Sequence, residues 1–379
     1  IGPADNQNYL WSMDGGSNWV LTGRYDPDSQ TGDKSFVGHR CGAYASSRGK
    51  YGIISDDAFD LDAPYLHMGV SIGNATDFEL EYLEITRSGF AGIRLLNAHD
   101  TTKPMANVKL HDTYVHDVDG EGIYVGWTGA PPSNLMAGLQ VYNNRFLRTG
   151  NEALQIQNLG SGTHVHHNTM AYGAMNWRDN GLGAYQDSNS QIGMRQGTVT
   201  VEKNVFIGSA STLWSVFQAN EGNDGDVTLT VRDNYVSTNR VGLAGYFGGE
   251  AGTGSQYRFE GNFFSLIDFS YDVVDPNATD DNVIFRFGGK VGASISLVDN
   301  QWQGDNLLVG GLAGPNGTVG NISASGNTNG MVVPLAAVDG LAENPLLLEF
   351  WTAVVTRAPG NPARVYQPGE MVIYLDGKL

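Results

Sequence analysis

The stretch VTLTVRDNYV (227–236) decides the fold. Val227, Leu229 and Val231 fall on one side of an extended chain, and Thr228 and Thr230 on the other. That period of two belongs to a half-buried strand. An Asn follows, then an aromatic residue. The same design recurs in VKLHDTYV (108–115), LQVYNNRFL (139–147), THVHHNTM (163–170), VTVEKNVFI (199–207), YRFEGNFF (257–264), ISLVDNQW (295–302) and ISASGNT (322–328). Asp112, Asn144, Asn168, Asn204, Asn234, Asn262, Asn300 and Asn327 take the shared position, at spacings of 24 to 38 residues.

Spacing this uneven excludes a strict-period repeat such as a propeller blade. It suits stacked coils with fixed strands and loops of free length. Asn tolerates a left-handed backbone and hydrogen-bonds locally, which fits a tight corner. One Asn per coil predicts a ladder of amides. The aromatics Tyr114, Phe146, Phe206, Tyr235, Phe263 and Trp302 are expected to stack inside. A second strand follows a small-residue bend in GIRLL (92–96), GIYVG (122–126), ALQIQ (153–157), LWSVF (213–217) and LAGYF (243–247). No helical period occurs, and hairpin signals such as Asn-Gly between paired strands are nearly absent. The expectation is an all-β, single-stranded right-handed parallel β-helix of about nine to ten coils over 51–330. Residues 1–50 are read as an N-terminal cap and 331–379, with PLLLEFWTAVV and MVIYL, as a C-terminal cap.

Composition agrees and excludes other classes. Glycine makes up 51 of 379 residues, against a usual share of about 7%, and Gly89, Gly120, Gly122 and Gly150 fall at the bends. The glycines have no three-residue period, so the chain is not collagen. Its apolar and aromatic content is too high for disorder. No run is long and apolar enough for a membrane-spanning helix. A net charge of −18 argues against a nucleic-acid partner. Cys41 stands alone, so no internal disulfide forms. Low charge density, acidity and cysteine poverty fit a bacterial protein that is secreted or on the cell surface. The chain opens on Ile1, which reads as a processed, mature start.

The Asn ladder, the stacked aromatics and the segment HDTYVHDVDGEGIYVG (111–126) resemble the pectin-lyase-like right-handed β-helix superfamily. The likeness covers roughly residues 60–330 and implies a carbohydrate-active protein, although this fold hosts lyases, hydrolases, epimerases, spikes and adhesins.

Outward side chains on stacked strands form ribbons along the axis, about 4.8 Å apart from coil to coil. Aligning the second strands on their apolar residues puts Arg94, Tyr124 and Gln155 in one outward column, and Leu96, Gly126 and Gln157 in the next. At the preceding bend Glu121 stacks on Glu152. Two such carboxylates repel unless a cation or proton intervenes, so they are candidate ligands for Ca²⁺. A separation of about 5 Å is also that of a retaining glycosidase pair. The alternative is two solvated surface glutamates whose side chains diverge.

His111, His116, His164, His166 and His167 form a second group. His164 and His166 flank Val165 and are expected to point outward, in a column running Glu81, His111, Tyr142, His166, Glu202, Arg232, Glu260. The segment 176–196 breaks the repeat and gathers Trp177, Arg178, Asp179, Tyr185, Asp187 and Arg195. Aromatics, Arg and Asp of this kind bind hydroxylated or charged sugars.

Two functions follow. The first is an enzyme acting on an extended, uronate-containing polysaccharide. As a lyase it would use Glu121 and Glu152 with Ca²⁺, and Tyr124, Arg94, Arg178 or His166 as base or acid. As a hydrolase it would draw on Glu121, Glu152, Asp179 and Asp187. Arg94, Gln155, Gln157, Trp177, Tyr185 and Asp187 would hold substrate. The layout resembles the chondroitinase B and alginate lyase family, whose Lys–Arg catalytic pair has no counterpart here: no Lys occurs between 110 and 202. The second function is a non-catalytic adhesin, spike or surface component. Oligomeric state is left open.

Overall fold

The computed structural model describes residues 9–23, 52–54, 68–96, 105–126, 135–173, 188–194, 197–209, 212–218, 226–238, 245–249, 254–266, 283–287, 294–303, 307–311 and 322–330. All regular structure among them is β. The strands form three sheets of ten, and within each sheet a strand pairs in parallel with the third strand further along the chain. The chain therefore visits the first, second and third sheets in rotation and returns one strand further along, which is the connectivity of a β-solenoid. The central strands of the first sheet are Ile93–Leu96, Ile123–Val125 and Leu154–Leu159. Those of the second are Val108–His111, Gln140–Tyr142 and Thr163–His166. The third has Tyr114–Val118, Arg145–Thr149 and Thr169–Gly173. Strands Tyr9–Asp14 and Ser17–Thr22, inside the segment read as a cap, already belong to the first and second sheets. Residues 331–379 lie outside the described residues.

Alternation builds the core. The inward column of the second sheet runs Leu80, Leu110, Val141, Val165, Val201, Val231, Phe259 and Leu297, each register partner of the next. All eight are buried. Each large apolar side chain taken from water contributes about 1.5–3 kcal/mol, so the stack stabilises every interior coil through both neighbours.

The Asn ladder forms, with two differences from the sequence reading. Asn144, Asn168, Asn204, Asn234, Asn262 and Asn300 are 0–1% exposed. Each donates its side-chain amide to the Oδ1 of the next at 2.9–3.0 Å, and the last of them reaches Asn327. In the coil below Asn144, however, the ladder position belongs to Thr113, whose N and Oγ1 donate to Asn144 Oδ1 at 3.0 and 2.8 Å. Asp112 stands one residue earlier. The left-handed conformation also belongs to that earlier residue: Asp112, Asn143, His167, Lys203, Asp233 and Asp299 have φ of 52–56°. The corner separates two jobs. One residue reverses the backbone, and the next turns its amide inward.

The same one-residue step sorts the aromatics. Phe146, Phe206 and Trp302 stand two residues after their Asn, in the inward column of the third sheet with Phe264. Tyr114, Tyr235 and Phe263 follow the ladder residue directly and fall in the adjacent column, with Arg145, Val205 and Gln301. They face outward, against the expectation that all would stack inside.

Two bend glycines are required by close approach. An added Cβ would lie 2.0 Å from the Phe90 carbonyl oxygen at Gly120, and 1.9 Å from that of Asp119 at Gly150. The contacts are backbone, so no side chain can swing away. Gly150→Ala is expected to lower the unfolding free energy by about 2 kcal/mol, measured by urea denaturation. An unchanged midpoint would show that the coils can slide apart at this corner.

Candidate functional site

Three outward surfaces carry the chemistry. On the first sheet Arg94, Tyr124 and Gln155 are register partners, as the alignment of apolar residues requires. Arg94 donates from Nε to Ser71 Oγ at 3.0 Å and lies over the Tyr9 ring at 4.8 Å. Gln155 and Gln157 are 3% and 4% exposed although their strand alternation points them out of the core. Glu121 and Glu152 occupy equivalent bends one coil apart, where the backbone N of Gly92 donates to Glu121 O and that of Gly122 to Glu152 O.

These two glutamates are 0% and 1% exposed, which removes the solvated-surface alternative. Asn151 Nδ2 donates to Glu121 Oε1 at 3.3 Å. Burial pushes the Glu121 carboxyl up to about 7, against the smaller opposing pull of its own backbone and of Asn151. A carboxyl poised there can hold or release a proton at neutral pH.

On the second sheet the outward column runs Glu81, His111, Tyr142, His166, Glu202, Arg232, Glu260, the order the sequence predicts. His111 and Tyr142 stack at 4.6 Å and 6° between rings, and Tyr142 and His166 at 5.1 Å and 1°. The three rings thus stack face to face along the axis at successive coils. Beside them His164 Nε2 meets Glu202 Oε1 at 2.9 Å, and Arg232 bonds the other oxygen of Glu202. Burial raises the Glu202 carboxyl, but the bonds from Arg232 and His164 outweigh it and hold it low. His166 meets His167, Nδ1 to Nδ1, at 2.8 Å. Burial first, then the neighbouring His164 and His167, push His166 down to about 4. It is neutral at physiological pH, and each ring nitrogen is either donor or acceptor.

At the start of this ladder Glu79, Glu81 and His111 turn ligand atoms toward one another, all within 4.8 Å. Glu79 carries no mark in the strand repeat beyond its alternation, and sequence reasoning passed over it.

The third sheet holds a charged cluster that the sequence reading scattered. His116 Nε2 meets Glu84 Oε1 at 2.9 Å and His116 Nδ1 meets Asp117 Oδ2 at 2.6 Å. Arg148 Nη2 donates to Asp117 at 2.7 Å. Burial raises the Asp117 carboxyl, yet bonds from Arg148 and His116 more than reverse this and leave it far below the usual range. The Tyr114 ring stacks on His116 at 4.1 Å, and the Arg145 guanidinium lies 4.6 Å above it. Glu84, Tyr114, His116 and Arg145 are all under 9% exposed. The signal was present in the two His-Asp pairs of HDTYVHD, where the corner at Asp112 and Thr113 puts His111 and His116 on different sheets.

Of the residues singled out from sequence, Arg94, Glu121, Tyr124, Glu152, Gln155 and Gln157 gather along the first sheet and the bend before it. His166 belongs to the second sheet and does not join them. Trp177, Arg178, Asp179, Tyr185 and Asp187 lie outside the described residues. Comparison of the chain with protein-family models, curated proteins and solved structures gave no match.

Proposed function

We propose that the chain is a right-handed parallel β-helix of the pectin-lyase type, secreted or displayed by a bacterium, that takes an extended polysaccharide along the outward ladder of its second sheet. Parallel crossovers are right-handed in about 98% of cases, and the three ten-stranded sheets correspond to ten coils.

The observation carrying the reading is the row of ring edges and charges at successive coils. Tyr142 and His166 offer hydroxyl and imidazole edges, flanked by Lys109, Glu79, Glu202 and Arg232. A repeating, half-buried row of donors and acceptors suits a repeating hydroxylated chain. Tyr142→Ala removes one ring and one hydroxyl from the middle, and is expected to weaken polysaccharide binding about tenfold.

Cleavage is the more specific form of this reading, as a lyase or a glycoside hydrolase. The Glu121 carboxyl near 7 favours it, because a general acid or base works best close to ambient pH. The near-complete burial of Glu121 and Glu152 favours instead the non-catalytic surface protein.

Affinity electrophoresis against uronate-rich and neutral polysaccharides tests binding. Absorbance at 235 nm and reducing-end release, with and without Ca²⁺, test cleavage. Retardation by one glycan class that is reduced in Tyr142→Ala supports the assignment. No retardation across the panel overturns it, and retardation without bond cleavage selects the non-catalytic form.

A further inference from the structure

We propose that Glu79, Glu81 and His111 bind one divalent transition-metal ion of the zinc class. The site shares Glu79 and the His111–Tyr142 stack with the proposed polysaccharide surface, but metal titration reads it without any glycan.

The argument begins with His111. It is 7% exposed, and its Nε2 is buried with no hydrogen-bond partner. That nitrogen points between two carboxylates, 3.6 Å from Glu79 Oε2 and 3.6 Å from Glu81 Oε2. Metal bonds of about 2.0–2.2 Å at tetrahedral angles set neighbouring ligand atoms about 3.4 Å apart. The two nitrogen–oxygen distances are close to that spacing, and all the ligand atoms lie within 4.8 Å of one another.

The surroundings fit a ligand histidine. Its Nδ1 faces Asp112 Oδ2 at 2.8 Å, the carboxylate–histidine–metal relay that fixes the ring and leaves Nε2 to bind. Tyr142 stacks on one face of the imidazole, and the Tyr82 ring meets it edge-on at 6.3 Å. Lys109 bonds Glu79 through Oε1, leaving Oε2 turned toward His111. The side chains of Glu79 and Glu81 are 31% and 15% exposed, so an ion can enter from solvent and keep an open position for water.

The donor set also sets the class. One imidazole with two carboxylates suits zinc and its neighbours, whereas calcium takes six to eight oxygens. The competing occupant is a proton on His111, which the three carboxylates around it would also favour.

Isothermal titration of the chelator-stripped full chain with Zn²⁺, and separately with Ca²⁺, decides between them. One equivalent of Zn²⁺ is expected, with Ca²⁺ at least about 100-fold weaker. Asp112→Asn is expected to weaken Zn²⁺ by about 10–100-fold. His111→Ala is expected to abolish binding. Glu81→Gln, at a partly exposed position, gives the same loss should the His111 variant fail to fold by circular dichroism. Co²⁺ should give visible d–d bands that vanish in Glu81→Gln. Absence of stoichiometric Zn²⁺ binding, binding unchanged in Glu81→Gln, or tighter Ca²⁺ than Zn²⁺ would each overturn the assignment.

Discussion

Asn204→Ala is expected to lower the unfolding free energy by about 4 kcal/mol, because each buried polar group left without its partner costs about 1–3 kcal/mol. The Asn204 side chain serves four groups. Its Oδ1 accepts from Asn168 N at 3.0 Å and Asn168 Nδ2 at 2.9 Å, and its Nδ2 donates to Val165 O and Asn234 Oδ1, both at 3.0 Å. Asn204 and its ladder neighbours are fully buried, so water cannot take over the lost bonds without opening the stack. Asn327 ends the ladder with the same geometry, accepting from Asn300 and donating to Leu297 O at 2.8 Å. It is half-buried, and Asn327→Ala should cost only about 1 kcal/mol. Urea unfolding followed by tryptophan fluorescence measures both. Equal losses in the two variants would mean that the ladder records the fold without stabilising it.

The ladder also explains why so much of the architecture could be read from the chain. Period-two alternation fixes which side chains point inward, and a repeated corner residue fixes how successive strands align. The column Glu81–His111–Tyr142–His166–Glu202 therefore followed from sequence alone. The errors were of one residue. Asp112 was placed in the ladder because an acid resembles the amides that follow, whereas Thr113 carries the inward hydroxyl. Tyr114, Tyr235 and Phe263 were sent inside because spacing from the Asn was not counted in steps of two.

What alternation does not encode is cover. Gln155 and the Glu84–His116 cluster point away from the core by alternation, yet they are buried, as are Glu121 and Glu152 at the bends. The pairing of His116 with Glu84 joins residues 32 apart, and that of Asn151 with Glu121 residues 30 apart. The Glu79–Glu81–His111 group needs two adjacent coils at once. A single strand shows only an alternating acid pair.

Glu121 makes the consequence of cover measurable. Its carboxyl titrates at about 7 in the folded chain against 4.5 for the free side chain, with burial as the main cause. The folded state thus binds the proton more tightly than the unfolded state. The stabilisation this gives is fully present below pH 4.5, and declines as pH rises until the folded group has itself ionised above 7. The difference corresponds to about 3 kcal/mol. Glu121→Gln keeps the shape and the contact with Asn151 but removes the titration. Near pH 4 the variant should match the parent, and at pH 8 it should be more stable by about 3 kcal/mol. Chemical denaturation at the two pH values reads the difference directly. A cation shared by Glu121 and Glu152 would reverse the sign, since ionised carboxylates would then be the stable ligands and Gln would forfeit one of them. The experiment at pH 8 with and without Ca²⁺ therefore separates two accounts of the same pair. A more stable variant in both buffers establishes a buried carboxyl that prefers its proton. A variant destabilised only in Ca²⁺ would assign the pair to the ion.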